Sequence, residues 1–196
     1  MPGRSADLSP GSADLPRLAA LLTTVGRLTA GSVPIQRLGQ RWSMTTWRDA
    51  ARSGALLSGW QAAYAGRLAE LEARTPGLVA GVAVQHTDMT PHNFLVADGG
   101  VRLTGWSWPA LAAPWVDTAL LVHRMIAAGH TVVEAERWAD HVPAWWSAAE
   151  EAVSAVAVTV LGLWQARSRA DRAPYRAQLA GAGSVWVRCR LGVPGP

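Results

Sequence analysis

A short β-forming segment in the middle of the chain interrupts a pattern that is otherwise helical. Residues 78–85 form an apolar, valine-containing run of strand length. Farther on, the apolar runs 94–96 and 101–103 flank an Asp-Gly-Gly sequence at 98–100. Two such runs around a glycine-containing turn predict a β-hairpin. Any fold for this chain must therefore place one small β element between two helical regions.

Helical periodicity covers most of the remaining sequence. Residues 152–164 are apolar nearly all round, which predicts a central buried helix. A Thr-Pro-Gly sequence at 75–77 predicts a helix end, and residues 29–43 predict a loop. The fold class is therefore mainly α with a small β-hairpin element (α+β). Helices are predicted at 15–28, 46–73, 116–128, 131–140, 144–168 and 174–191.

The 196 residues suit one domain. Residues 1–13 are rich in Pro, Gly and Ser and predict an irregular lead-in. The folded body is predicted at 14–191, and 192–196 form a short tail.

The composition excludes several classes of protein. Hydrophobic residues make up 49% of the chain and charged residues 16%, which is typical of a folded core and excludes intrinsic disorder. The single Cys189 excludes a disulfide framework and a multi-cysteine zinc site. No apolar run approaches the roughly 20 residues that a membrane span needs. We therefore expect a cytoplasmic protein with no membrane partner.

The basic residues are unusual, because all 18 are arginine. Without lysine the chain has no amine side chain for a Schiff base or for a phosphate contact. The net charge is +4, but the arginines of 167–190 follow near-helical spacing, as on a solvated helix face. No recognition motif accompanies them, so no nucleic-acid partner is expected.

The polar residues that suggest chemistry lie between the predicted strand and the hairpin. His86, Asp88 and Asn93 have the spacing H-x-D-x-x-x-x-N. A carboxylate can orient a substrate hydroxyl, and an asparagine oxygen can ligate a magnesium ion that bridges phosphates. This combination of residues suits phosphoryl transfer.

Residues 84–108 resemble the catalytic loop of the aminoglycoside phosphotransferase and choline kinase superfamily. The motif, the hairpin, Trp106 and Asp117 together carry the resemblance, which covers about 7–191. It implies the C-terminal lobe of a protein-kinase-like fold. It also implies a small-molecule O-phosphotransferase, with a small-molecule substrate and Mg-ATP as the cofactor.

The resemblance also implies roles for single residues. Asp88 matches the catalytic base, and His86, the second predicted catalytic-loop residue, packs under the loop. Asn93 matches a magnesium ligand. Asp117 matches an aspartate that supports the loop through hydrogen bonds. His92 has no counterpart role.

Two departures from the superfamily pattern weaken the predicted activity. Gly105 stands where the principal magnesium-binding aspartate is usual. In addition, the resemblance begins at about 3–16, just after the usual interlobe hinge, so we expect the N-terminal lobe to be missing. Mg-ATP binding should then be weak or absent in isolation. The phosphotransferase would be degenerate, or dependent on a partner for the ATP lobe.

Two other functions stay open. The chain could be a non-kinase biosynthetic enzyme that uses Asp88, with His86 or His92, as acid–base groups. It could also be a non-catalytic binding or scaffold protein. As a further alternative, His86, Asp88 and His92 could bind a transition metal.

The remaining expectations concern surfaces. Without a first lobe, a set of apolar side chains would lose its cover, which predicts a homodimer or a partner chain. The set is Leu15, Leu18, Phe94, Leu95 and Leu103. Trp106 and Trp108 are predicted to pack or to stack on a substrate. His123 and His130 are predicted at the surface or at an interface.

Overall fold

The computed structural model describes residues 3–54, 57, 59–171 and 173–194. Within these ranges the chain is mainly helical with short antiparallel strands, as the sequence predicts. Among the described helices, none combines the length and the apolar character of a membrane span. The elements follow in chain order: β1 (Arg4–Ser5), α1 (Leu15–Val25), α2 (Leu38–Arg41), α3 (Thr46–Ser53), α4 (Gly59–Ala63), α5 (Ala65–Leu78), β2 (Ala83–Gln85), β3 (Phe94–Ala97), β4 (Gly100–Leu103), β5 (Ala110–Ala112), α6 (Val116–Ala127), α7 (Val132–Ala139), α8 (Glu150–Ala170) and α9 (Pro174–Arg190).

The chain forms two compact units. The loop unit comprises residues 3–37 and 80–148, and it contains all five strands of the described chain. The helical unit comprises residues 38–79 and 149–194.

Two small antiparallel sheets organise the loop unit. β3 and β4 form the predicted hairpin, with Phe94 opposite Leu103, and β1 pairs along the other edge of β3. Phe94 and Val96 are buried on one face, as period-two alternation requires. The second sheet pairs β2 with β5. This pairing fixes where β2 ends, and the polar loop begins at that point.

The predicted buried helix is α8 of the helical unit. It packs against α3, α5 and α9, and its side chains from Ala152 to Leu161 are buried except for Ser154. The buried Trp47 of α3 donates its indole N–H to the Val158 carbonyl at 2.9 Å. Gly162 permits this approach, because a Cβ there would lie 2.9 Å from the same indole nitrogen.

The single helix predicted at 46–73 is wrong. The segment contains α3, α4 and the start of α5, while residues 55, 56 and 58 of the prediction lie outside the described residues. α3 ends at Gly54, whose φ of 64° is the left-handed conformation that commonly terminates helices. Gly54 is therefore a stop signal inside the segment that was predicted as one helix.

The predicted helix end at 75–77 and the strand predicted at 78–85 are also wrong in their bounds. α5 continues past Pro76 to Leu78, and Val79 N–H closes its last turn on the Thr75 carbonyl. The Thr75 hydroxyl lies 2.8 Å from that of Thr159 and ties this end of α5 to α8. Only residues 83–85 remain for β2.

Three further local predictions need correction. The segment predicted as a loop at 29–43 contains α2, and the irregular lead-in at 1–13 contains β1, with residues 1 and 2 outside the described chain. The helix predicted from 144 begins at Glu150, because a 3₁₀ turn at Pro143–Ser147 precedes it.

The apolar set expected to lack cover is largely buried. Leu15, Leu18 and Phe94 are buried, and Leu95 and Leu103 are half-buried. β1 pairs with β3, so the lead-in lies along this sheet. A homodimer or partner chain stays a prediction, and the three buried side chains no longer support it.

The prediction that His123 and His130 lie at the surface or at an interface is wrong, because both are buried within the chain. His130 Nε2 lies 2.9 Å from the Leu8 carbonyl, so this ring connects the segment before α7 to the lead-in.

Candidate functional site

The loop at 86–93, here the polar loop, leaves β2 and ends in a 3₁₀ turn at Pro91–Asn93. Its second residue, Thr87, has a φ of 64°. The left-handed region is strained for a β-branched residue, so the surroundings must impose this conformation. One contact that holds this conformation is the hydrogen bond from the Thr87 hydroxyl to the Trp108 carbonyl, at 2.6 Å.

Asp117 binds the backbone of the polar loop from the first turn of α6. One carboxylate oxygen accepts the His86 N–H at 2.7 Å and the other accepts the Thr87 N–H at 2.8 Å. The Asp117 N–H in turn donates to the buried side chain of Gln85. Burial raises the pKa of Asp117 to about 6, although the two backbone donors oppose that rise. The geometry matches the supporting role that the resemblance implies.

His86 lies under the loop, and both ring nitrogens contact backbone atoms. Nδ1 accepts the Asp88 N–H at 3.2 Å, so Nε2 carries the proton and donates to the Thr104 carbonyl at 2.8 Å. The rings of His86 and Trp106 pack in a T-shaped arrangement with centroids 4.8 Å apart. The side chain is fully buried. In this arrangement His86 connects the polar loop to Thr104, the residue that follows β4.

Asp88 projects its carboxylate from a backbone that is fixed on both sides. Its N–H is bound by His86, and its carbonyl accepts the Asn93 side-chain amide at 2.8 Å. The side chain is 40% exposed, and one oxygen lies 4.0 Å from a guanidinium nitrogen of Arg124. The carboxylate is therefore both oriented and reachable.

Asn93 connects the polar loop to the segment that follows β4. Its Nδ2 donates to Asp88, and its carbonyl accepts the Thr104 N–H at 2.8 Å. The amide oxygen, Oδ1, faces Gly105: a Cβ built on Gly105 would lie 2.5 Å from it. Gly105 has a φ of 74°, which also favours glycine.

These residues do not fit the magnesium ion of Mg-ATP. Magnesium requires near-octahedral oxygen ligands, with carboxylates among them. The Asp88 carboxylate lies beside the Arg124 cation, which would repel a metal ion, and Gly105 supplies no ligand. Within the described chain no group of three His, Cys, Asp or Glu side chains could bind a metal ion.

The alternative transition-metal site at His86, Asp88 and His92 is wrong for a related reason. Both nitrogens of His86 are used by the backbone, and His92 Nδ1 lies 3.1 Å from the Ser5 hydroxyl. The three side chains do not converge on one point in the described structure.

The two tryptophans after β4 differ in environment. Trp106 packs on His86 and donates its indole N–H to the Leu103 carbonyl at 3.1 Å. Trp108 is 62% exposed. Packing thus accounts for Trp106, and a stacking role stays a prediction for Trp108.

Sequence reasoning missed Arg124, Thr104 and Gln85. Arg124 follows Asp117 by seven residues, which places both on one face of α6, so the spacing carried a signal once α6 was known. Gln85 and Thr104 act through a buried amide and a backbone carbonyl, for which the sequence has no motif.

A comparison with solved structures shows the fold. The chain is similar to the crystal structure of choline kinase LicA from Streptococcus pneumoniae, with a TM-score of 0.64 and 14% identity. The match covers 95% of this chain and 67% of that chain. Neither a scan of protein-family models nor a search of curated proteins finds a match. The chain therefore has a choline-kinase-like fold, and the activity is a separate question.

Proposed function

We propose that this chain is a degenerate small-molecule O-phosphotransferase that retains the hydroxyl-recognising part of its catalytic loop. The substrate is a small molecule with a free hydroxyl group. In isolation the chain binds Mg-ATP weakly or not at all.

The geometry of Asp88 is the observation that supports this proposal. Hydrogen bonds from Asn93 and to His86 fix its backbone, while Asp117 fixes the two preceding amides. The carboxylate is left half-exposed. An oriented, reachable carboxylate can accept the hydrogen bond of a substrate hydroxyl and then its proton, as a general base does.

Mg-ATP binding is tested by calorimetric titration of the chain. We expect no saturation below about 1 mM ATP with magnesium, which corresponds to less than about 4 kcal/mol of binding free energy. The reasons are the repulsion by Arg124, the missing ligand at Gly105 and the absence of lysine. A micromolar Kd would contradict the proposed degeneracy.

Hydroxyl recognition is tested by a thermal-shift screen of polyols, aminosugars and amino alcohols. We expect a compound that stabilises the wild-type chain to lose its effect in Asp88→Ala. Asp98→Ala, at the exposed turn of the hairpin, is the matched control and should keep it. Any turnover that is found should fall about 100-fold or more in Asp88→Ala. Equal binding and turnover in the two variants would show that Asp88 is not part of the site.

The poor fit to magnesium favours a second candidate, a non-kinase enzyme in which Asp88 acts as the acid–base group. Such chemistry needs the oriented carboxylate but no nucleotide. It predicts turnover of a hit compound without ATP, again lost in Asp88→Ala. Turnover that needs both ATP and a partner chain would instead support the phosphotransferase.

A further inference from the structure

The space beside Gly105 is filled by the side chain of Asn93. A Cβ at position 105 would lie 2.5 Å from Asn93 Oδ1 and 3.2 Å from its Cγ. Real Cβ atoms essentially never come within 3.0 Å of another heavy atom in this way, so one of the two groups would have to move.

Asn93 is not free to move away. Its Nδ2 donates to the Asp88 carbonyl at 2.8 Å, and its own carbonyl accepts both the N–H and the hydroxyl of Thr104. Rotating the amide would release the Asp88 carbonyl and leave it without this partner. Because Gly105 also has a φ of 74°, a side chain there meets a steric and a conformational penalty together.

We infer that Asn93 and Gly105 form an interlock. In it, the Asn93 side chain fills the space that a magnesium-binding side chain at position 105 would need. The glycine is then a requirement of the present loop structure and not only the loss of a ligand. Asn93 acts as a loop-positioning residue, with its amide committed to the backbone of Asp88. A carboxylate restored at position 105 would not restore a metal site. This inference concerns packing and holds for either proposed function.

The interlock is tested first by alanine substitution and urea unfolding. Gly11 is the matched control, because its φ is 80° and nothing lies within 4 Å of a built Cβ. Gly11→Ala should lower the equilibrium constant for folding about 5- to 30-fold, from backbone strain alone. Gly105→Ala should lower it at least about tenfold more. Equal losses in the two variants would overturn the interlock.

A double-mutant cycle with Asn93→Ala isolates the contact. The small side chain removes the clash, so the loss in Asn93→Ala/Gly105→Ala should be at least about tenfold smaller than the product of the two single losses. Losses that multiply would show independent positions and would contradict the inference.

Metal binding is tested with Mn²⁺ as the probe, followed by electron paramagnetic resonance. Gly105→Asp should bind Mn²⁺ no more tightly than the wild-type chain. If it fails to fold, while Gly11→Asp folds, the closure is supported as well. Binding at least tenfold tighter than wild type, and lost on adding Asn93→Ala, would overturn the inference. That outcome would not change the result of the hydroxyl-recognition test with Asp88→Ala. The failure of the interlock can therefore be distinguished from the failure of the proposed function.

Discussion

Asp117 in the loop unit and Glu72 in the helical unit are both 2% exposed carboxylates. Each accepts backbone N–H groups, but the two carboxylates distribute these bonds differently over their oxygens. Asp117 uses one oxygen for His86 and the other for Thr87. Glu72 uses a single oxygen for Trp47 and Arg48, at 2.9 and 3.4 Å. Its other oxygen is buried with no hydrogen-bond partner in the described structure.

The backbones that the two carboxylates bind also differ. Glu72 binds the first turn of α3, where the conformation is already helical. Asp117 binds a loop that contains the strained Thr87 and precedes the exposed carboxylate of Asp88. A buried carboxylate is therefore not by itself a sign of function. The sign is an irregular backbone that could not keep its shape without that carboxylate.

The largest expected effect comes from neutralising Asp117, with the neutralised Glu72 as its comparison. Asp117→Asn places an N–H₂ group against a backbone donor, so we expect a loss of about 3 kcal/mol in the free energy of unfolding. Glu72→Gln keeps the accepting oxygen and replaces the oxygen that has no partner, so the change should stay within about 1 kcal/mol. Urea denaturation followed by tryptophan fluorescence measures both. Equal losses would remove the distinction between the two regions.

The pH dependence of Asp117 sharpens the same comparison. Burial raises the pKa of Asp117 in the folded chain to about 6, above its ordinary value of 3.8. Between these values the folded chain binds a proton that the unfolded chain does not. The stabilising contribution is therefore full below about pH 4 and is lost as the pH rises through 6.

We expect the wild-type chain to gain about 1.4 kcal/mol over Asp117→Asn when the pH is lowered from 8 to 5. Unfolding free energies of both proteins at these two pH values give the difference, in which the other titrating groups cancel. A gap that is constant with pH would place the pKa of Asp117 near its ordinary value.

The smallest effect concerns backbone strain. At Thr87, glycine should be more stable than alanine by about 1 kcal/mol, because alanine keeps the strained φ. At Arg48, inside α3, alanine should be more stable than glycine by a similar amount. Four variants, compared in pairs by urea denaturation, measure the two signs. The same sign at both positions would contradict the strain assigned to the polar loop.

The sequence predicted the parts of the fold that short-range chemistry determines. The hairpin was predicted because its turn and its flanking alternation are local. β5 was not, since an Ala-Leu-Ala segment has little strand preference and becomes a strand by pairing with β2. α3 was joined wrongly to later helices because periodicity does not reveal that Gly54 adopts a left-handed conformation.

The candidate site was predictable from the sequence to about the same extent as the fold. The spacing of His86, Asp88 and Asn93 identified the loop, and the resemblance gave Asp117 a supporting role that the hydrogen bonds match. The contact between Asn93 and Gly105 depends on packing of segments that are twelve residues apart. A sequence shows which ligand is missing at such a place, but it does not show that the space has been filled.

The two amides bound by Asp117 have a consequence for how motion of the polar loop can be observed. Loop amides ordinarily exchange their hydrogens with solvent quickly, because water reaches them. The His86 and Thr87 amides both point at one buried carboxylate. Their hydrogens can exchange only when Asp117 releases the backbone. The rate of hydrogen exchange at these two amides therefore reports how often the polar loop opens, independently of any molecule at Asp88.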